Sequence, residues 1–149
     1  MTKTLLATAA VLAALAAPAL ACPNWQANAS FGQINLNAGF MPDPYVRNIT
    51  AGGAYDLAGC FGSYGWGGSV ASKPDFDLYW NGSSAQLTIA VNTNADAVLL
   101  INAPDGQWYY SDDPSAITFS NPQAGLYDIW IGAYNGGSGI PGQLVITER

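Results

Sequence analysis

Residues 96–134 read DAVLLINAPDGQWYYSDDPSAITFSNPQAGLYDIWIGAY, and their rhythm decides the fold class. β-Branched and aromatic residues fill four short runs, 97–102, 107–110, 116–120 and 126–134, which this composition predicts as strands. Between them stand Pro104-Asp105-Gly106, Asp112-Asp113-Pro114 and Asn121-Pro122 with Gly125, residues whose backbone preferences suit turns. Val98-Leu99-Leu100-Ile101 is apolar at every position, so that strand is expected to be central and covered on both faces. In 126–134, Tyr127, Ile129 and Ile131 face one way, and Asp128, Trp130 and Tyr134 face the other. Trp108, Tyr109 and Tyr110 cannot all point inward, because neighbours in a strand face opposite sides. At least one of them belongs on the outer face or under a loop.

The same alternation continues on either side. Phe76, Leu78 and Trp80 alternate with Asp75, Asp77 and Tyr79, and Asn81-Gly82 then turns the chain. Leu87, Ile89 and Val91 alternate with Gln86, Thr88 and Ala90. A last strand, 143–147, carries Leu144 and Ile146 and is expected to pair with 126–134 across the Gly-rich stretch 135–142. Towards the N-terminus, 33–37 and 45–50 form weaker strands. Residues 61–69, FGSYGWGGS, form a Gly/aromatic loop. Either Tyr64 and Trp66 stack on a ligand there, or the loop folds its rings onto the core. No amphipathic helix is evident after Ala21. Strands that recur every 8–12 residues or so predict an all-β fold, an antiparallel β-sandwich or jelly roll. A chain of 149 residues suits one domain.

Residues 1–21 have the layout of a secretory signal peptide: Lys3, an apolar run over 5–17, Pro18, then Ala19-Leu20-Ala21 before the cut. The run is short for a membrane anchor and Pro18 interrupts it. No other stretch is apolar for long enough, so no membrane span is expected. The protein is therefore expected to be exported, to the periplasm or beyond. Acylation of Cys22 as a lipoprotein ranks second, because Ala19 stands where a lipobox usually has Leu. Beyond the leader, residues 22–73 form a lead-in and 74–149 the sandwich core, together one compact domain. Cys22 and Cys60 are the only cysteines, and an even pair in an exported chain predicts a disulfide tethering the lead-in. A metal-binding pair would lack any further Cys or His to complete it.

Without Lys3, ten acidic residues face three basic ones, so the remaining chain carries −7. That excludes the basic patch that nucleic acid or an anionic membrane requires. The chain has no histidine. Ser-His-Asp and Cys-His catalysis and His-ligated zinc are therefore absent. Lys73, Arg47 and Arg149 are too few for a phosphate or carboxylate clamp, and no phosphate-binding Gly loop is present. Carboxylates remain. Asp75 with Asp77, or Asp112 with Asp113, are the candidate pairs for glycoside hydrolysis, a reading ranked last because the domain is small for a polysaccharide cleft. Asp75, Asp77, Asp96, Asp112 and Asp113 are the candidate calcium ligands, since Ca²⁺ takes oxygen donors alone. The plainer alternative is that these residues cap turns and blunt strand edges. The aromatic residues exceed the needs of one inner face. Trp66, Trp108, Tyr110, Trp130 and Tyr134 are the candidate ligand contacts, against packing between strands as the alternative.

Several of these motifs occur together in a known family. Pro74-Asp75-Phe76-Asp77-Leu78-Tyr79, Asp96 with Leu99-Leu100, Pro104-Asp105-Gly106, Asp112-Asp113 and Gly125-Leu126-Tyr127-Asp128-Ile129-Trp130 make residues 75–147 look like bacterial pre-peptidase C-terminal domains. The lead-in, Ala51-Gly52-Gly53 with Asp56-Leu57 and Cys60, resembles that of exported alphaproteobacterial proteins, some of which carry a serine-peptidase label. The missing histidine contradicts such a label here. The resemblance covers about half of the chain after the leader. It implies a jelly-roll module, non-catalytic, that aids secretion, localisation or substrate binding. Related collagen-binding modules bind calcium at Asp-rich edges. The expected function is thus a non-enzymatic exported module that recognises a polymer or glycan, a peptide or a partner protein. A structural cell-envelope protein, with or without calcium, and a small carboxylate hydrolase are the alternatives.

Overall fold

The computed structural model describes residues 22–149; the expected signal peptide lies outside the described residues. Alternation is strong enough in nine places to give long strands: β1 (Gln33–Asn37), β2 (Tyr45–Gly53), β5 (Phe76–Asn81), β6 (Gln86–Asn92), β7 (Ala97–Asn102), β8 (Trp108–Ser111), β9 (Ala116–Ser120), β10 (Gly125–Ala133) and β11 (Gly137–Thr147). Two short pieces, β3 (Tyr55–Asp56) and β4 (Ser69–Val70), and one helical turn, α1 (Leu57–Cys60), complete the elements used below. The helical turn starts because the Asp56 carboxylate accepts the amides of Ala58 and Gly59, an N-cap.

The strands form two packed sheets, as an all-β sandwich requires. One has the order β2-β11-β6-β9. In the other, β10 lies between β5 and β7; β1 extends the β5 side, β8 extends the β7 side, and β4 and β3 continue beyond β5. The pairing is antiparallel except that β1 runs parallel to β5, a departure from the expected all-antiparallel pattern. A second correction concerns β11. It does not pair with β10 but crosses to the other sheet, between β2 and β6. A strand has two edges, and β10 has given both away, one to β5 and β4 and the other to β7.

Between the sheets lies the main core, with Phe76, Leu78, Trp80, Leu99, Ile101, Tyr127, Ile129 and Ile131 from one side meeting Ile49, Leu87, Ile89, Leu144 and Ile146 from the other. These are the inward sets that the alternation predicts. β7 is buried at all six positions and paired on both edges, so it is the central, doubly covered strand. The outer face of the four-stranded sheet is polar, held by Thr88–Thr118 and by the amides of Asn48, Gln143 and Asn92.

The outer face of the larger sheet is different, because two segments cover it. Residues 57–70 place Leu57, Val70, Phe61 and Trp66 against Val98, Leu100, Trp130, Trp108 and Tyr110. Residues 22–32 lie along β5, where the amides of Ser30 and Phe31 donate to the carbonyls of Pro74 and Asp75, and Asp77 donates to Gly32. The Cys22–Cys60 disulfide, with Cα atoms 5.6 Å apart, joins the two covers. Gly132 is where the first cover comes closest: a Cβ there would meet the Ser69 carbonyl and the Val98 and Val70 methyls. Gly132→Ala is therefore expected to cost roughly 1–3 kcal/mol, read as a lower denaturant midpoint at unchanged slope.

Candidate functional site

One cross-strand row crosses the outer face of the larger sheet. Trp108 on β8 stands opposite Asn102 on β7, Asn102 opposite Asp128 on β10, Asp128 opposite Asp77 on β5, and Asp77 opposite Gln33 on β1. Cross-strand partners share a face, so five side chains of recognition or titration chemistry stand in line. The two covers leave part of this row open. A cleft of about 550 Å³ remains, with Trp25 on one wall, Pro104, Gly106 and Trp108 on another, and Asn102 and Asp128 among its lining. Its size is that of a small-ligand site.

Asp128 is 3% exposed, and burial, then the Asp77 carboxylate, pushes its pKa up to about 7. Burial also raises Asp77, against the Ala29 amide and a hydrogen bond with Asp128, which hold it down. The two carboxyls stand opposite each other across β5 and β10, so burial and mutual repulsion both favour the protonated form of Asp128. Asp75 has another task. β5 begins only at Phe76, so nothing on that side pairs the Ile131 amide of β10; Asp75 Oδ2 accepts it at 2.7 Å. Burial pushes Asp75 up to about 7, with the Ile131 bond pulling the other way.

Asn102 is 8% exposed, and its side-chain amide makes no hydrogen bond with another described residue. Trp25 is half exposed and stacks on none of the described rings. Trp108 is held firmly, its ring 5.2 Å from Phe61 and 5.3 Å from Trp130. A smaller cavity of about 350 Å³ is lined by Asp105, Tyr109, Phe119 and Tyr127. Its two tyrosine hydroxyls are already served: Tyr109 donates to Asp105 Oδ2 at 2.7 Å and Tyr127 to the Gln123 carbonyl at 2.8 Å. The larger cleft, with an unserved amide, is the better candidate.

The structure scatters the candidate ligand contacts. Trp108 lines the cleft. Trp66 and Tyr110 stack 5.2 Å apart with Tyr64 beyond, and Tyr110 donates to the Gly67 carbonyl, so the 61–69 loop folds its rings onto the sheet. Tyr134 is exposed beside Gly67, away from the cleft. Trp130 is a correction: it is wholly buried beneath Trp108 and Phe61 and supports the cleft wall without reaching a ligand. Trp25, Asn102 and Asp128 were not among the candidates.

The expected calcium ligands do not form one donor set. Asp75 and Asp77 are buried under the N-terminal cover. Asp96, Asp112 and Asp113 surround a depression at the opposite end of β7 from Asn102, roughly 20 Å away by strand length. There Asp96 accepts from Asn135 Nδ2, and slight burial, then Asp96 and Asp113, raise Asp112. Among the described residues, no three Asp, Glu, His or Cys side chains come together to hold a metal ion. Of the acids in the hydrolytic pairs, Asp75 accepts the Ile131 amide, Asp77 stands opposite Asp128, and Asp112 and Asp113 line the depression at the far end of β7.

No protein-family model matches the chain, and no curated protein matches it either. The resemblance to pre-peptidase C-terminal domains thus rests on the quoted motifs alone. Among solved structures, the chain is similar to PliG of Aeromonas hydrophila, a periplasmic lysozyme inhibitor of g-type lysozyme. The identity is 13% and the TM-score 0.41, over 79% of this chain and 98% of that one. No helix among the described residues is long and apolar enough to cross a membrane.

Proposed function

We propose that this chain is an exported, non-catalytic recognition module that binds its partner in the cleft between the N-terminal cover and the β7–β8 turn. The observation that carries this is the pairing of two indoles, Trp25 and Trp108, with a nearly buried Asn102 amide that no protein group satisfies. An amide that lines the cleft and bonds no protein group keeps its donors and its acceptor for a ligand. Export is supported by the disulfide and by the leader-like start of the sequence. The absence of catalysis is supported by a sequence without histidine and by acids engaged with each other or with the backbone. The likeness to pre-peptidase C-terminal modules points the same way.

The test is a binding measurement with a mutational control. Trp25→Ala removes a ring that touches no other ring, so its melting temperature should stay within a few degrees of the parent. Affinity for a peptide, glycan or protein partner found by array screening should fall at least about tenfold. Undiminished binding by this variant, or turnover of peptide, ester or glycoside substrates by the purified parent, defeats the proposal.

A further inference from the structure

Resting on that reading, we infer that the cleft is built for a neutral saccharide. The lining of the cleft contains no Lys or Arg, so an anionic ligand finds no counter-charge there. The choice then lies between a cation and a neutral polyol, and Asn102 decides it. Its amide offers two N–H donors and one carbonyl acceptor, all without protein partners. An ammonium or guanidinium brings donors only, so it can serve the carbonyl of Asn102 but not its NH₂. A hydroxyl is donor and acceptor together, so neighbouring hydroxyls on one ring can serve both ends of the amide. Asp128, next to Asn102 across the strands and also in the cleft lining, offers carboxyl oxygens to a further O–H. The indoles supply what the other side of a sugar needs: a pyranose has an apolar C–H face, and Trp25 and Trp108 provide flat apolar surfaces for it. Trp108 is fixed in advance by Phe61 and Trp130, and Trp25 sits in the covalently tethered cover, so little ordering is left for binding to impose.

The test titrates the purified protein, by tryptophan fluorescence and calorimetry, with neutral tetrasaccharides of glucose, xylose, mannose and N-acetylglucosamine, and with tetralysine as the cationic comparator. At least one tetrasaccharide should bind saturably, with an affinity that stays level from about 0.05 to about 0.5 M sodium chloride. Asn102→Ala and Trp25→Ala should each weaken it at least about tenfold, while Tyr64→Ser, in the separate stack on Trp66, should leave it unchanged. Failure of all four saccharides to bind overturns the inference, as does a loss caused by Tyr64→Ser in place of Asn102→Ala. Salt-sensitive binding of tetralysine alone also overturns it, yet leaves the recognition reading standing. Release of shorter sugars during the titration brings down the recognition reading itself.

Discussion

Thermal unfolding of this protein will give a lower melting temperature at about pH 8 than at about pH 5, by roughly 10 °C or more. The cause is Asp75, 2% exposed, whose pKa rises from 3.8 to about 7 on folding because burial disfavours the charged form. Between those two values the folded state holds a proton that the unfolded state has released. Stability is then fully present below the unfolded pKa and is lost as pH rises through the folded one. For one group shifted by about 3 units the loss approaches ~4 kcal/mol. Asp77 and Asp128 are raised as well and add to the fall. Self-repulsion of an acidic chain acts in the same direction, so a variant must separate the contributions. Asp75→Asn is fixed in the neutral form and keeps an oxygen for the Ile131 amide. It should exceed the parent modestly at about pH 5, where the unfolded carboxyl has already ionised, exceed it further at about pH 8, and flatten the curve between. A melting temperature that climbs from acid to neutral pH would contradict the burial of these acids.

The other large effect belongs to the disulfide. Replacing Cys22 and Cys60 together by Ser releases a constraint spanning 38 residues, worth roughly 4 kcal/mol in the chain-entropy account. More than entropy is lost. Few backbone hydrogen bonds hold residues 22–32 otherwise, chiefly those to Ser72, Pro74 and Asp75 and the one from Asp77. Freed of its tether, this cover will admit water to Asp75, Asp77 and Asp128. The double variant should therefore melt roughly 10 °C or more below the parent, and its stability should depend less steeply on pH. It should also lose the Trp25 wall, and with it cleft binding. A difference of only a degree or two, with the pH dependence intact, would mean that the cover stands by itself.

Much of the architecture is legible in the chain before any coordinates. β1, β7 and β9 begin and end where alternation and turn residues place them, because β-branched runs bounded by Gly, Pro, Asn and Asp leave little choice. Faces are legible too: Phe76, Leu78 and Trp80 point inward, and Asp77 between them outward. What alternation cannot say is what lies over the outward face. Polar residues there suggested solvent, whereas residues 22–32, which have no period of their own, bury them. The same gap hid the site. Asn102 ends an apolar run and resembles the start of a turn, and Trp25 is a lone ring in an aperiodic stretch. Asp128 was placed on the correct face, but only the register of β5 against β10 makes it the partner of Asp77. β3 and β4 are too short for any period to show.

The place of β11 has a consequence for how this polypeptide is made. β11 is an inner strand of its sheet and is made long after β2, so Tyr45 waits for Ile146, and β6 waits alongside. No local contact can join β2 to that layer early; loop closure over about a hundred residues must come first. Such non-local wiring belongs to the slow end of single-domain folding, and until the C-terminal strand arrives, β2 offers a bare edge to any chain nearby.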